Sequence, residues 1–367
     1  MVAVLSLSSC SSPTSAYESA KTQPFGPCGS TYAELVAKAQ QEGALILIGT
    51  PRGSAGSRAV IEDFTRRYDI DVSTILEDSS SADELTIIRT WKGDPRYPDV
   101  IDVSSAALEA AIREGLLADY RVQAYATIDD RFKRPDGFQV ANYFGLMGFG
   151  VNTSKVDHVP QTWADLEKPE YRRAIALNGD PRESGAGIQA IAAAALANGG
   201  SYDNILPGID YFARLRKSGN LQLNQVNNTD VLDGGIPIAI DWNYNFPPLE
   251  RKFAKEGIEF ATVIPSDGIG QGVYFQGLVA DANHPCAARL WLDHLVSDDV
   301  ALSRLRAGAI PARYASVRSS LNSSEQTYVP PNTEIEASLA PTAEQFLRMQ
   351  EVVNERWVPL VVNGEPE

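Results

Sequence analysis

Short apolar runs alternate with amphipathic segments along the first third of this chain, and this alternation constrains its fold most strongly. Residues 44–49 are apolar throughout and predict a buried strand. A predicted helix follows it, with Val60, Ile61 and Phe64 on one face. The same order repeats with strands at 71–76 and 99–103. Strands that alternate with helices predict βαβ units around a parallel sheet, so the fold class is α/β.

A long extended stretch at residues 139–151 interrupts this alternation. It is apolar and dotted with glycine, unlike a hairpin or a helix. A second α/β unit follows from Trp163 to about residue 270, and residues 272–280 predict a return strand. Two strands that cross between two domains predict a hinged clamshell. Its ligand cleft would lie where strand ends and helix N-termini converge.

The expected domain boundaries follow from these two crossings. The chain has 367 residues, which is enough for two domains. The tail carries one helical stretch around 343–353 and is expected to pack on the outside. We predict a leader and tether at 1–28, a first domain at 29–142 plus 274–325, a second at 143–273, and a tail at 326–367.

Charge and hydropathy exclude several classes of partner. The net charge of −15 argues against nucleic acid, which requires basic surfaces, and against docking to anionic lipid. The sequence contains no apolar run of the length that a transmembrane helix needs.

The N-terminus has the pattern of a bacterial lipobox, Leu7-Ser8-Ser9-Cys10. An aliphatic residue and two small residues precede a cysteine that would be acylated. The small polar residues 11–15 are typical of a flexible tether. No basic residue precedes Cys10, so the leader is either truncated or begins upstream. We expect an extracytoplasmic lipoprotein, anchored in the periplasm or on the outer face of the cell membrane.

Export would leave Cys28 and Cys286 in an oxidising compartment. They are too far apart in sequence for a compact metal motif. They could be two unrelated thiols, but the predicted topology places both in the first domain and favours a disulfide.

Four stretches together resemble the solute-binding proteins of ABC importers: residues 150–155, 160–166, 180–187 and 308–313. The closer resemblance is to the type II branch that serves ferric ion, polyamines, thiamine, aminoethylphosphonate and sugar phosphates. It implies a two-domain, periplasmic-binding-protein-like clamshell with two crossover strands at the hinge. It also implies a small-molecule ligand, an ABC permease as membrane partner, a monomeric receptor and no cofactor.

The loop at 180–187 is a candidate anion site, because family members use it for ligands. Ser184 is a natural N-cap, and the small residues Gly185 and Ala186 leave backbone N–H groups open. Asp180 lies in the same loop. The alternative is an ordinary helix cap with glycines for turn geometry.

Polar residues also follow the first three predicted strands. Thr50 and Arg52 follow the first, and Arg52 could clamp an oxyanion. Ser79 and Ser80 follow the second, and Ser104 follows the third. These serines could line the cleft, although each could equally cap the next helix.

The end of the strand at 237–240 is expected to determine specificity. Asp241 and Trp242 could hold an ammonium group by ion pairing and cation–π contact, as in polyamine binders of the family. Ferric binders carry two adjacent tyrosines here. Tyr244 can match the second, but Asn243 stands in place of the first. Tyr274 on the return strand is a further candidate wall. Alternatively, Trp242 and Tyr274 are packing residues and Asp241 is a helix cap.

These observations predict a lipid-anchored receptor that captures a small zwitterionic or anionic ligand, amine-bearing or phosphorylated, and delivers it to a permease. A ferric-ion or polyamine binder of the same family is the alternative. No catalytic or metal-binding motif is apparent, so we expect neither an enzyme nor a metal site. The rival class is a transferase or hydrolase on the same clamshell, which would require a nucleophilic cysteine in the cleft.

Overall fold

The computed structural model describes residues 25–138, 140–226, 228–326, 330–338 and 340–365. The predicted lipobox and its Cys10 lie outside these residues. The strands are β1 (Ala44–Ile48), β2 (Asp71–Ile75), β3 (Val100–Ser104), β4 (Leu117–Ala118), β5 (Val140–Asn152), β6 (Ile175–Leu177), β7 (Ile238–Trp242), β8 (Phe260–Val263), β9 (Gln271–Val279) and β10 (Ile310–Pro311).

The α-helices alternate with these strands and continue beyond the last one. They are α1 (Tyr32–Glu42), α2 (Ser57–Tyr68), α3 (Ser81–Thr90), α4 (Ser105–Arg113), α5 (Gly185–Ala197), α6 (Leu206–Ser218), α7 (Asn228–Asp233), α8 (Phe246–Lys255), α9 (Pro285–Leu295), α10 (Asp298–Arg306), α11 (Tyr314–Val317), α12 (Ser323–Gln326), α13 (Asn332–Ala337) and α14 (Ala343–Trp357). No helix in the described part of the chain is long and apolar enough to span a membrane.

The ten strands of the described chain form one curled mixed sheet. Seven of them follow the order β2-β1-β3-β9-β5-β7-β6, while β8 and β10 pair with β5, and β4 pairs with β9. The strands β2, β1 and β3 are parallel, as the alternating sequence predicts. The return strand β9 is antiparallel to β3, and β7 is antiparallel to β5 but parallel to β6. The α/β fold class is therefore confirmed.

The strand β5 is the first crossing between the two halves. All thirteen of its residues are buried. Its first part pairs with β9 as far as Leu146, and its second part pairs with β7 and β8 from Met147 and Phe149 onward. A bulge between Ala141 and Phe144 shifts the register with β9. One strand thus belongs to both halves, and the return through β9 completes the pair of crossovers.

Two main apolar cores flank this shared strand. The first contains Leu47, Phe64, Val103 and Trp291, and the elements packed around it are called the first lobe. The second contains Trp163, Ile191 and Phe212, and its elements are called the second lobe.

A disulfide joins Cys28 to Cys286, with the two Cα atoms 5.5 Å apart. It links the segment before α1 to the start of α9, and both cysteines belong to the first core. The bond therefore closes a long loop within one lobe and leaves movement between the lobes free.

The C-terminal tail contributes to both cores. Ile335 of α13 is buried in the first core, whereas Met349, Val353 and Trp357 of α14 are buried in the second. A short π-helix, Val358–Val362, extends α14. The expectation of a tail packed on the outside did not include these contacts. Periodicity alone does not show which elements the apolar residues of the tail contact.

Two predicted elements differ from the structure. The amphipathic spacing of residues 285–306 predicts one helix, but the structure has two, α9 and α10, because Ser297 caps α10 through a bond from the N–H of Val300. The strand β7 continues through Asp241 and Trp242, which were placed after it. The short strand β8 was not predicted, since the alternation within four residues is too weak a signal.

Candidate functional site

A cavity of about 320 Å³ lies between the lobes, beside the shared sheet. This volume is at the lower end of the range for small-molecule sites. Residues from both lobes and from the C-terminal tail line it: Ser104, Ser105, Arg131, Phe132, Gly185, Gln189, Trp242, Gln271, Gly272, Val273, Tyr274, Phe275, Ser338, Ala340, Pro341, Thr342 and Phe346.

The N-terminus of α5 opens onto this cavity from the second lobe. Ser184 is the N-cap, as predicted, and its hydroxyl accepts a hydrogen bond from Gly187 and donates one to the carbonyl of Asn178. The N–H groups of Gly185 and Ala186 have no acceptor within the described chain. Because the helix dipole adds partial positive charge here, this end of the cavity favours an anionic group.

The N-terminus of α4 reaches the same cavity from the first lobe. Ser104 is the N-cap residue, but its hydroxyl makes no capping bond. Ser104 and Ser105 both line the cavity, and Ser104 pairs across the sheet with Tyr274. Two helix starts from different lobes therefore face one space, and two serine hydroxyls stand beside them.

Each of two buried amide side chains in the cavity wall has one atom without a protein partner among the described residues. Gln189 on α5 is 3% exposed and Gln271 on β9 is 2% exposed. The Oε1 atom of Gln189 and the Nε2 atom of Gln271 are enclosed and have no hydrogen-bond partner among the described residues. A buried polar group without a partner costs about 1–3 kcal/mol, so these atoms indicate a polar guest or an ordered water.

Aromatic side chains form much of the remaining wall. Phe132, Trp242, Tyr274 and Phe346 all line the cavity. Burial raises the pKa of the Tyr274 hydroxyl to about 12, so it is a neutral donor at ordinary pH. These faces suit the apolar body of a small molecule, and they could also hold an ammonium group by cation–π contact.

Charged side chains are scarce at the cavity surface, although the buried carboxylates of Asp102 and Asp241 lie close enough to raise the pKa of Tyr274. Arg131 is the one charged side chain among the described residues that line it. Its guanidinium lies over the ring of Phe132 and is paired with Asp129 at 3.0 Å. The described lining residues include no carboxylate that could pair with a polyamine.

Asp241 lies behind this wall and does not line the cavity. Its Oδ1 accepts a hydrogen bond from the backbone N–H of Trp242, and its Oδ2 accepts one from the side chain of Asn245. A side-chain hydrogen bond from Asn178 also reaches it. Burial nevertheless raises the pKa of Asp241 to about 6. The carboxylate is therefore held by hydrogen bonds within the protein and is not part of the cavity surface.

Four other predicted residues are engaged within the first lobe and are absent from the cavity lining. Thr50 is buried, with its hydroxyl 3.5 Å from the carbonyl of Ile48. Arg52 donates to Thr74 and to the carbonyl of Val72. Ser80 caps α3. The Ser79 hydroxyl is enclosed without a partner among the described residues.

Asp180 and Tyr244 also lie apart from the cavity. Asp180 pairs with Arg182 and lines a separate hollow on the second lobe. Tyr244 is buried, stacked on Trp242 and edge-on to Tyr143. The described chain contains no group of three or more histidine, cysteine or carboxylate side chains that could hold a metal ion.

The structure brings Ser104, Gly185, Trp242 and Tyr274 together, with Ser184 and Ala186 at the edge of the same loop. Sequence reasoning missed Gln189, Gln271, Phe132 and Phe346. Gln189 carried a usable signal, since it is a lone polar residue in the apolar run from Ile188 to Ala197. Phe346 carried none, because its position depends on how the tail crosses the molecule.

The sequence matches the family of bacterial extracellular solute-binding proteins over residues 96–337. No curated protein sequence matches the chain.

Solved structures of periplasmic binding proteins share the fold. AfuA from Actinobacillus pleuropneumoniae, with exogenous fructose-6-phosphate bound, is 21% identical, with 86% of this chain and 98% of that chain covered and a TM-score of 0.65. Iron-bound HitA from Pseudomonas aeruginosa is 18% identical, with 84% and 99% covered and a TM-score of 0.62.

A third structure is the spermidine/putrescine substrate-binding protein PotD from Streptococcus pneumoniae. It is 15% identical, with 84% and 98% covered and a TM-score of 0.61. The names of these three proteins refer to different ligands, so likeness of fold does not select one for this chain.

Proposed function

We propose that this chain, which belongs to the family of bacterial extracellular solute-binding proteins, captures a small anionic or zwitterionic solute in the cavity between its lobes. Members of that family bind small molecules and work with an ABC permease, and this chain would deliver its solute to such a permease. One observation carries this choice of ligand. Two helix N-termini from different lobes, together with two unpartnered amides, converge on one cavity that has no carboxylate among its described lining residues.

The geometry supports binding of different parts of the solute by different parts of the site. The N–H groups of Gly185 and Ala186, with the hydroxyls of Ser104 and Ser105, would receive a phosphate, phosphonate or carboxylate. Trp242 would take the apolar or ammonium-bearing part of the solute. Since the two sets of donors come from different lobes, the bound solute would favour the closed form by its higher affinity for it.

The other ligand classes in the family fit this site less well. A polyamine would leave the two helix ends without a partner and would find no carboxylate among the described lining residues. A transferase would need a nucleophilic thiol, yet both described cysteines form the disulfide.

A ligand panel tests the proposal. Purified full-length protein would be heated with inorganic phosphate, fructose 6-phosphate, phenyl phosphate, 4-aminobutyrate, spermidine or ferric citrate. Anions or the zwitterion should raise the melting temperature, because a ligand that binds only the folded state stabilises it by about 2.7 kcal/mol at a hundred times its Kd. Stabilisation by spermidine alone, or by ferric citrate but not by citrate without iron, would refute the proposed ligand class.

We further propose that the mature receptor is a monomer and is anchored by a lipid on Cys10. The lipobox pattern and the small polar residues after it support the anchor. Replacing Cys10 by serine should move the protein from the membrane fraction to the soluble fraction, whereas replacing Ser12 by alanine should not. Retention of the Cys10→Ser protein in the membrane fraction would contradict the anchor.

A further inference from the structure

The ligand cavity has one wall that lies outside the matched family region. That match ends at residue 337, and five cavity-lining residues follow it: Ser338, Ala340, Pro341, Thr342 and Phe346. We call Ser338 and the residues from Ala340 to Phe346 the strap. The wall it forms is therefore a feature of this chain that the family match does not account for.

The strap is fixed at its first end to the first lobe. Ile335, three residues before it, is 5% exposed in the first core. Ser338 is fully buried, and its hydroxyl donates to the carbonyl of Ile335 at 2.7 Å. The chain thus leaves the first lobe at a defined point beside the cavity.

The other end of the strap is fixed to the second lobe. Thr342 and Gln345 form a capping box that starts α14. Arg348 pairs with Asp203 at 2.6 Å, and Gln345 donates to the same carboxylate at 2.9 Å. Further along, Met349 is buried in the second core. The helix α14 also contacts α4 of the first lobe, so this segment holds the two lobes together at the cavity.

The side chains that the strap presents to the cavity are uncharged and mostly apolar. Phe346 is half-buried against the second core and lines the cavity with Pro341 and Ala340. Trp242 lines the same cavity. A surface of this kind holds the apolar body of a solute, whereas the polar donors at the helix ends hold its anionic group.

We propose that the strap is part of the ligand site, that it selects for anions carrying an organic body over inorganic anions, and that it must loosen before the cavity opens. This proposal rests on the proposed function for its ligand, but the strap itself can be tested without any ligand. The matched pair of variants is Phe346→Ala and Leu347→Ala. Leu347 is the next residue on α14, is 45% exposed and does not line the cavity.

The first measurement follows access to the ligand-free cavity. Ser105→Cys places a thiol in the lining, and its reaction with a small methanethiosulfonate reagent would be followed by peptide mapping. Adding Phe346→Ala should speed labelling about tenfold, because removing an anchoring contact lowers the cost of local opening. Adding Leu347→Ala should leave the rate unchanged. Equal rates in all three proteins would overturn the strap as a gate.

The second measurement compares phenyl phosphate with inorganic phosphate by calorimetry. Phe346→Ala should weaken phenyl phosphate at least about tenfold and change phosphate affinity little, since about 1.4 kcal/mol of apolar contact corresponds to that factor. The affinity of Phe346→Leu for phenyl phosphate should lie between those of the wild type and Phe346→Ala. This variant keeps the test valid where the alanine variant unfolds. Equal weakening of both probes would overturn the selectivity.

The two proposals fail in different ways. If no probe binds the wild-type protein, the proposed ligand class fails while the labelling rates still decide whether the strap gates the cavity. If phenyl phosphate binds the wild type and Phe346→Ala equally well, the proposed function stands and the strap has no part in ligand selection.

Discussion

The indole of Trp242 on β7 occupies the space that Gly272 leaves open on the return strand β9. A Cβ at position 272 would overlap the six-membered ring of Trp242. Both residues line the cavity. Because Gly272 has no side chain, the indole of Trp242 can lie in this part of the cavity wall.

Gly272→Ala should therefore destabilise the protein and displace Trp242. Overpacking of this kind costs about 1–3 kcal/mol. Urea unfolding gives the loss of stability, and tryptophan fluorescence reports the displaced ring. Gly53→Ala is the control, because nothing lies within 4 Å of a Cβ there. An equally small loss of stability in both variants would show that the ring of Trp242 can shift to accommodate a Cβ at position 272.

Gln189→Leu should separate ligand binding from stability. The Gln189 Oε1 atom has no protein partner in the described chain, so the leucine variant should be as stable as the wild type or slightly more stable without ligand. Affinity for the best anion in the panel should fall about tenfold if the amide bonds the solute. A variant that unfolds early but binds normally would assign Gln189 a structural role instead.

Ser184→Ala and Ser80→Ala should lose similar stability but differ in binding. Each serine is an N-cap whose hydroxyl accepts a bond from a helical N–H. Loss of such a cap costs about 1 kcal/mol. Only Ser184 stands at the helix that opens onto the cavity, so only its replacement should weaken anion binding in calorimetric titrations. Equal affinity in both variants would remove the α5 N-terminus from the site.

Asp102 should make stability decrease with rising pH. Burial raises the pKa of this carboxyl to about 7, against the attraction of Arg304 and a hydrogen bond from Gln276. Burial also raises the pKa of Glu84, whose carboxyl accepts a hydrogen bond from the backbone N–H of Asp102. Between about pH 4 and 7 the folded carboxyl keeps a proton that the unfolded one releases. The stabilisation is complete below about pH 4 and is lost by about pH 7.

Asp102→Asn should remove this dependence. The free energy of unfolding of the variant, relative to the wild type, should rise by roughly 2–4 kcal/mol between pH 4 and pH 8. Urea titrations at several pH values measure it. Glu351→Gln, at an exposed position on α14, should follow the wild-type profile. Parallel profiles for Asp102→Asn and wild type would contradict a protonated Asp102.

The sequence predicted the sheet well because its buried strands are continuous apolar runs. The strand β5 could be recognised as a crossing, since thirteen extended residues suit neither a hairpin nor a helix. The helix start at Ser184 was also predictable, because a cap followed by small residues is a local signal. These features depend on neighbours in the chain, which is the information that a single sequence contains.

The rest of the site depends on distant contacts. Asp241 has the chemistry of an ammonium ligand, but its position behind Trp242 is set by Gly272 and Asn245, which are remote or uninformative in sequence. Arg52 could have clamped an anion, yet Thr74 and Val72 on β2 hold it. Phe346 enters the cavity only because the tail is anchored in both lobes.

The bond between Cys28 and Cys286 also determines how this protein carries mechanical load. A force applied to the segment before Cys28 is transmitted through the covalent link to α9, which is packed in the first core. The helix α1 is therefore shielded from being peeled away, and the lobe resists pulling as one block. In a reducing solution the same tension would fall on α1 first.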